Sequence, residues 1–339
     1  MPTQTPSAGE PHQISVVIPV YQGQRHLPNL LDELSTFVEL FSTPGGHLAQ
    51  FGEVLLVFDH GPDDSARVIR ELAERHDFVR PVWLSRNYGQ HAATLAGMSS
   101  SGGDWIVTMD EDGQQDPGDV AGMLDVAMRR SASVVYGDPL NAAPHGAVRN
   151  IASSSAKWIA GRMMGGEQAT HYNSFRLVLG EVGRSVAAYA GSSVYLDVAL
   201  GWVAGDVVTA PVTLRDEGER RSGYSLRTLM SHFWRMVVTS GTRGLRLVSV
   251  MGVVFALMGA LVAVVLVVNR LSGSDIEQGW TSTITVVLIS SGAILFALGV
   301  VAEYIGVAVN MAMGKPLYLI VGDPATGPLG RIRPTEESD

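Results

Sequence analysis

The chain contains no cysteine. That removes disulfides, thiolate nucleophiles and Cys-ligated zinc or iron–sulfur sites. Lysine is almost missing too: Lys157 and Lys315 are the only two, so arginine carries the positive charge. Charged residues make up 17% of the 339, against 46% hydrophobic. A chain that apolar is not largely disordered, and its length allows two or three domain-sized units. The net charge of −9 argues against a nucleic-acid footprint spread over the surface. There is no internal repeat and no G-x-G-x-x-G after the first strand, so a dinucleotide fold has little support. Residues 1–13, MPTQTPSAGEPHQ, hold no apolar stretch and read as a disordered tail rather than a signal peptide.

What the chain has in excess lies late. Residues 247–269 and 278–302 are two uncharged runs of 23 and 25, rich in Val, Leu, Ala and Gly. About 20 apolar residues span a bilayer as helix, and soluble core helices rarely run that long without a charge. Two transmembrane helices are expected, at 247–269 and 282–308, with a short external loop at 270–281. Arg215, Arg220, Arg221, Arg227, Arg235, Arg243 and Arg246 precede the first run, whereas the loop has one arginine against Asp275 and Glu277. This asymmetry places the N-terminal domain in the cytoplasm. An even number of spans returns residues 309–339 there as a C-terminal tail. The expected location is the plasma (inner) membrane, multi-pass. Residues 223–246 mix Leu, Met, Phe, Trp and Val with four Arg. They suit amphipathic juxtamembrane helices lying at the interface.

Residues 14–140 alternate two patterns. ISVVIPV (14–20), EVLLVF (53–58), PVWLS (81–85), DWIVTMD (104–110) and SVVYG (133–137) read as strands. Helical stretches separate them, near Leu27–Phe41, Asp64–Arg75, Gln90–Ser99 and Pro117–Arg130. Such alternation implies an α/β domain on a mostly parallel sheet, with ligands at the carboxyl ends of strands. Acids fall there. Asp59 ends the second strand, and Asp110, Glu111 and Asp112 end the fourth. Carboxylates at i and i+2 can address one hard cation while the intervening side chain points away. Alone, such a tripeptide is better explained by a solvated acidic turn.

Its company adds meaning. IPVY (18–21), VFDHGPDDS (57–65), SRNYGQH (85–91), MDEDGQQDP (109–117) and AEYIG (302–306) occur in one order. In these motifs the chain resembles the membrane-anchored family 2 glycosyltransferases of the polyprenyl-phosphate type. That group includes dolichol-phosphate mannose synthases, bactoprenol glucosyltransferases and undecaprenyl-phosphate formamido-arabinose transferases. The resemblance covers about residues 14–322 and implies a GT-A catalytic domain, Rossmann-like, over 14–222. It also implies a nucleotide-sugar donor (UDP, GDP or dTDP), a polyprenyl phosphate acceptor and inverting transfer feeding cell-envelope glycan modification. A processive polysaccharide synthase would show Q-x-x-R-W and more spans; neither is present. A non-catalytic sugar-nucleotide scaffold is the other rival.

The resemblance further implies roles for single residues. Asp59 hydrogen-bonds the base, with Pro19 and Tyr21 beside it. Asp110, Asp112 and Gln114 hold Mg²⁺ or Mn²⁺ against the diphosphate. Phe58, His60 and Gly61 depart from the usual D-D-G-S, Gly113 from Leu, and Asp116 from Pro. Asp63 fits the pattern, but as it opens a helix the preferred expectation for it is a helix N-cap. Arg86 faces the donor phosphates or makes a structural ion pair. His91 packs or hydrogen-bonds rather than acting as a base. Arg149 and Ser153 match the R-x-x-x-S pair that binds phosphate, and one helix face would carry both. Ser222 opens the S-G-Y that replaces S-K-Y, leaving open which of Arg215, Arg220 and Arg221 meets the acceptor phosphate. Ser174 stands where relatives carry an acid, so a carboxylate general base is in doubt. Glycine and alanine in the apolar runs permit close helix packing, which supports a homo-oligomer, a tetramer by resemblance.

Overall fold

In the computed structural model the described residues are 9–141, 173–191, 195–204, 207–215, 243–271, 279–314 and 316–327. Arg149, Ser153, Arg220, Arg221 and Ser222 lie outside them, as does most of 223–246. The first strand, β1 (His12–Val20), takes in the last two residues of the expected tail. Ile14, Val16, Ile18 and Val20 enter one apolar core, and Val17 enters a second on the opposite face. A strand buried on both faces has no polar side to show, which is why its sequence runs apolar without alternation.

The chain continues through α1 (Leu27–Ser35), β2 (Phe41–Ser42), β3 (Leu48–Phe58), α2 (Ser65–Arg75), β4 (Val79–Leu84), α3 (Gln90–Ser100), β5 (Trp105–Thr108) and α4 (Asp119–Arg130). Then come β6 (Val134–Pro139), β7 (Arg176–Leu179), α5 (Gly180–Tyr189), α6 (Leu196–Val203) and β8 (Val207–Val212). Helix α1 stops six residues short of the expected Phe41. The chain there turns into an antiparallel β2–β3 hairpin. Phe37, Phe41 and Phe51 pack it down, with ring centroids 5.3–5.8 Å apart.

Among the described residues one sheet of nine strands runs β8-β6-β7-β5-β1-β3-β4-β9, where β9 is Ile320–Val321, with β2 beside β3. The centre, β5-β1-β3-β4, is parallel as expected. The whole is mixed, because β7 enters antiparallel between β5 and β6. The fifth sequence strand is therefore not the spatial neighbour of the fourth. Helices α1, α2 and α4 cover one face, and α3, α5 and α6 cover the other. This is a GT-A-like α/β arrangement, and its parallel centre sends four strand ends to one side.

Two long helices follow, α7 (Arg243–Leu271) and α8 (Trp280–Ala312). Among the described residues, one stretch is long and apolar enough to cross a membrane, Ile289–Asn310 within α8. The matching stretch of α7 is shorter, Gly252–Val262. The expectation of two spans is thus corrected to one. The expected C-terminal tail is also corrected in part. After α8 the chain returns to the sheet as β9 (Ile320–Val321), pairing antiparallel with β4. The Ser85 N–H donates to the Leu319 carbonyl at 2.9 Å. Arg70 forks onto Asp323 with two bonds of 2.7 Å and lies over the Trp83 ring.

Candidate active site

Four segments meet at the carboxyl ends of β1, β3, β4 and β5. After β1 comes Tyr21, 44% exposed, with half-buried Pro19 two residues before it, opposite Val57 of β3. Its neighbour in space is the loop after β3. A Cβ on Gly61 would sit 1.5 Å from the Tyr21 carbonyl oxygen, so only glycine lets the two turns touch. Asp63 accepts from the Ser65 amide and hydroxyl and from the Gln24 amide. It ties α1 to α2, while Asp64 occupies the N-cap position itself.

Asp59 is buried. Its two oxygens accept the Tyr88 and Gly89 amides at 2.7 and 2.8 Å. Burial pushes its carboxyl up, against the pull of those two amides. The side chain expected to meet a base is thus also the clamp that holds the S-R-N-Y-G-Q-H loop. In that loop the Arg86 guanidinium is exposed and lies over the Tyr88 ring. It makes no ion pair among the described residues. The Ser85 hydroxyl lies 2.8 Å from the Tyr88 hydroxyl. That bond, then Arg86, lowers the phenol's pKa. The His91 ring packs on Tyr195 with centroids 3.8 Å apart.

The three acids after β5 divide their work. Glu111 turns away, as i+1 geometry requires, and accepts the Tyr21 and Gln22 amides at 2.9 and 3.0 Å. Asp110 points back to three donors: the Gln90 amide at 2.6 Å, the Gln115 amide at 3.1 Å and the Ser174 hydroxyl. Burial raises its pKa; the Ser174 bond opposes this, and the Asp112 charge adds to it. Asp112 Oδ1 accepts the Gln114 amide at 3.1 Å. The turn between them is closed by Gly113 at φ +74°, a conformation in which the usual leucine would be strained.

Gln115, rather than Gln114, is the glutamine against Asp110. It receives the Asp110 amide at 2.9 Å and reaches the Ser174 hydroxyl at 2.9 Å. The two adjacent glutamines differ only in which side of the loop they take, which spacing does not reveal. Gln90 and Ser174 were likewise not legible as partners of Asp110, although Gln90 stands inside the S-R-N-Y-G-Q-H motif. Gln114 gives its carbonyl to the Arg215 amide.

No group of three or more His, Cys, Asp or Glu side chains among the described residues could hold a metal unaided. A Mg²⁺-type site needs fewer, because such ions keep one or two carboxylates and take phosphate oxygens for the rest. Asp110 and Asp112 are hard oxygen donors of that kind. Asp112 Oδ2 accepts no hydrogen bond among the described residues. The donor set therefore fits a divalent cation shared with a diphosphate.

Behind the site lies a buried ion pair. Arg176 of β7 bonds Asp197 of α6 at 2.5 Å, and the Tyr136 hydroxyl of β6 donates to the same oxygen at 2.8 Å. Its guanidinium stands beneath the strand that carries Asp110, in register with Thr108.

Residues 15–178 match the family model described as glycosyl transferase family 2. An undecaprenyl-phosphate 4-deoxy-4-formamido-L-arabinose transferase of Klebsiella pneumoniae (strain 342) is 30% identical over 311 residues, covering 91% of this chain and 92% of that protein. The Sodalis glossinidius protein of the same name is 29% identical over 338 residues, covering 96% and 98%. Among solved structures, glucosyl-3-phosphoglycerate synthase from Mycobacterium tuberculosis with Mn²⁺, UDP and glucosyl-3-phosphoglycerate gives a TM-score of 0.47. Its identity is 17%, over 68% of this chain and 80% of that one. With acids, loops and strand ends arranged as described and relatives matching along nearly its whole length, the chain belongs to glycosyl transferase family 2.

Proposed function

We propose that the chain transfers a sugar from a nucleotide-sugar to the phosphate of a polyprenyl phosphate, at the cytoplasmic face of the membrane. The observation that carries this is the convergence of Asp110 and Asp112 at the carboxyl end of β5, in a chain that also carries an apolar span in α8. Relatives named as undecaprenyl-phosphate sugar transferases cover 91% of it, which supports undecaprenyl phosphate as acceptor.

In this reading the donor lies across the four strand ends. The base sits near Tyr21 and the Asp59-held loop, and the diphosphate sits near Arg86 and the acids. Asp110 is held in one rotamer by Gln90, Gln115 and Ser174, so it needs no reorganisation on binding. A divalent ion bound by Asp110 and Asp112, with Gln114 beside them, would offset charge on the departing diphosphate. An acceptor phosphate oxygen forms the new bond to the anomeric carbon. The bond from that carbon to the diphosphate oxygen breaks and its electron pair leaves with the nucleoside diphosphate. One displacement inverts the configuration. With a second pKa near 6, the acceptor phosphate is already a dianion at neutral pH. No side chain has to remove a proton, which agrees with serine rather than an acid at position 174. Arg149 and Ser153 are proposed to receive the acceptor phosphate, and Ser222 to act with them.

The test is transfer by the full chain in detergent. Undecaprenyl phosphate and Mg²⁺ or Mn²⁺ are held fixed while UDP-, GDP- and dTDP-sugars are screened for a butanol-extractable labelled product. Metal-dependent labelling from one donor is expected. Asp112→Asn should lower kcat by roughly 10²–10³ with folding intact. Donor hydrolysis without lipid product would refute the acceptor.

A further inference from the structure

Just past β8, the segment 213–215 runs antiparallel to the loop that carries Asp112. Gln115 and Leu214 form a bridge, and the Arg215 amide donates to the Gln114 carbonyl at 2.9 Å. The Thr213 amide donates to Asp119 Oδ2 at 2.9 Å. Asn141 closes the outer side with two bonds to Leu214. The loop is therefore fastened by backbone pairing at Gln114 and Gln115 and by a side-chain carboxylate at Asp119.

The Arg215 side chain adds what backbone pairing cannot. One terminal nitrogen bonds Glu33 of α1 at 2.6 Å, and the other lies 3.0 Å from Asp116. The three groups come from three separate elements: the end of β8, the acidic loop and α1. Asp116 itself stands where the resemblance expects proline. A proline would leave the guanidinium with Glu33 alone, so the departure at 116 supplies Arg215 with its second carboxylate. The two carboxylates engage both terminal nitrogens and more than balance the single charge of the guanidinium, which takes away its electrostatic pull on a third anion.

We infer that Arg215 is a positioning residue, which locks the Asp112–Asp116 loop against α1 through Asp116 and Glu33 and does not bind the acceptor phosphate. The inference rests on the proposed metal-dependent donor site. It also narrows the acceptor contact within the arginine-rich segment to Arg220 or Arg221. All three partners are about two-fifths exposed, and pairs that exposed contribute little to global stability. The effect belongs in the loop and its metal, not in the melting temperature.

Two readouts on the full chain in detergent separate the outcomes. The first is amide hydrogen exchange over residues 113–119; the second is the Mn²⁺ concentration for half-maximal UDP binding. Arg215→Ala should speed exchange in that loop and raise the Mn²⁺ requirement roughly three- to tenfold. The KM for undecaprenyl phosphate should stay unchanged. Asp116→Asn should do the same more weakly, and the double variant should be no worse than Arg215→Ala alone, the signature of one shared contact. Arg215→Lys should recover part of the loss. Unchanged exchange and Mn²⁺ requirement with a raised acceptor KM would overturn the inference and return Arg215 to the acceptor. If the unaltered chain binds UDP without regard to Mn²⁺, the proposed metal role fails, while the exchange comparison still decides whether Arg215 holds the loop.

Discussion

At the scale of single residues, the most consequential side chains are those whose partners cannot be replaced by water. Asp197 and Arg176 are both nearly fully buried. Asp197→Ala would strand a guanidinium beneath β5, at a cost of about 3–5 kcal/mol. A lowered urea midpoint should report it, and joint replacement, Arg176→Met with Asp197→Leu, should recover most of the loss. Gly61 is a second such point. Gly61→Ala forces the β1 and β3 turns apart and should weaken binding of the donor nucleotide about five- to 150-fold, a cost of roughly 1–3 kcal/mol, measurable by titration with the nucleotide that the donor screen selects. The sequence named Asp59, Asp110 and Asp112 through their places at strand ends. It did not name Gln90 or Gln115, and it singled out Ser174 only as the place of a missing acid, because what holds a carboxylate still depends on which side chains fold back on it. Motif order carries no record of that.

At the scale of elements, the return of the chain to β4 after α8 rests on two strand residues, one backbone hydrogen bond, the Arg70–Asp323 fork and the packing of Leu317, Tyr318 and Val321 against the two cores. The hydrogen bond from Arg70 is the first cause holding the Asp323 carboxyl below its usual range. A carboxylate with a depressed pKa stabilises the fold above its unfolded pKa and loses that contribution as pH falls through the folded value. The strap should therefore loosen below about pH 4. Arg70→Ala should remove about 1–2 kcal/mol of local stability at neutral pH and flatten the acid dependence, as read by exchange at residues 83–85 and 319–321. Most of the central strands and helices were legible, since apolar runs and 3.6-residue spacing are local signals. The insertion of β7 and the docking of β9 were not. Both are pairings between segments far apart in sequence, and a two-residue strand has no periodicity to read.

At the scale of the whole molecule, a folded α/β domain is joined to apolar helices whose side chains are largely exposed. Val250, Leu257, Leu261, Ile294, Leu295 and Leu298 are each 58–69% exposed in α7 and α8, an apolar surface of the kind that lipid or a partner helix covers. The full chain should stay with membranes through a high-salt or alkaline carbonate wash and leave only with detergent; release by salt alone would show that charge, not apolar surface, holds it. Membrane character was plain in the sequence, because long uncharged runs have few other uses. The way the domain is moored was not. Seven residues separate the end of α8 at Ala312 from Ile320, and the eight Cα-to-Cα steps between them reach about 26–29 Å when fully extended. The rim of the sheet beside the S-R-N-Y-G-Q-H loop is therefore leashed within that radius of the helix end. Such a leash turns the meeting with a lipid acceptor into a search over a surface, in which sideways diffusion of the acceptor sets the encounter rate and dissociation of the protein has no part.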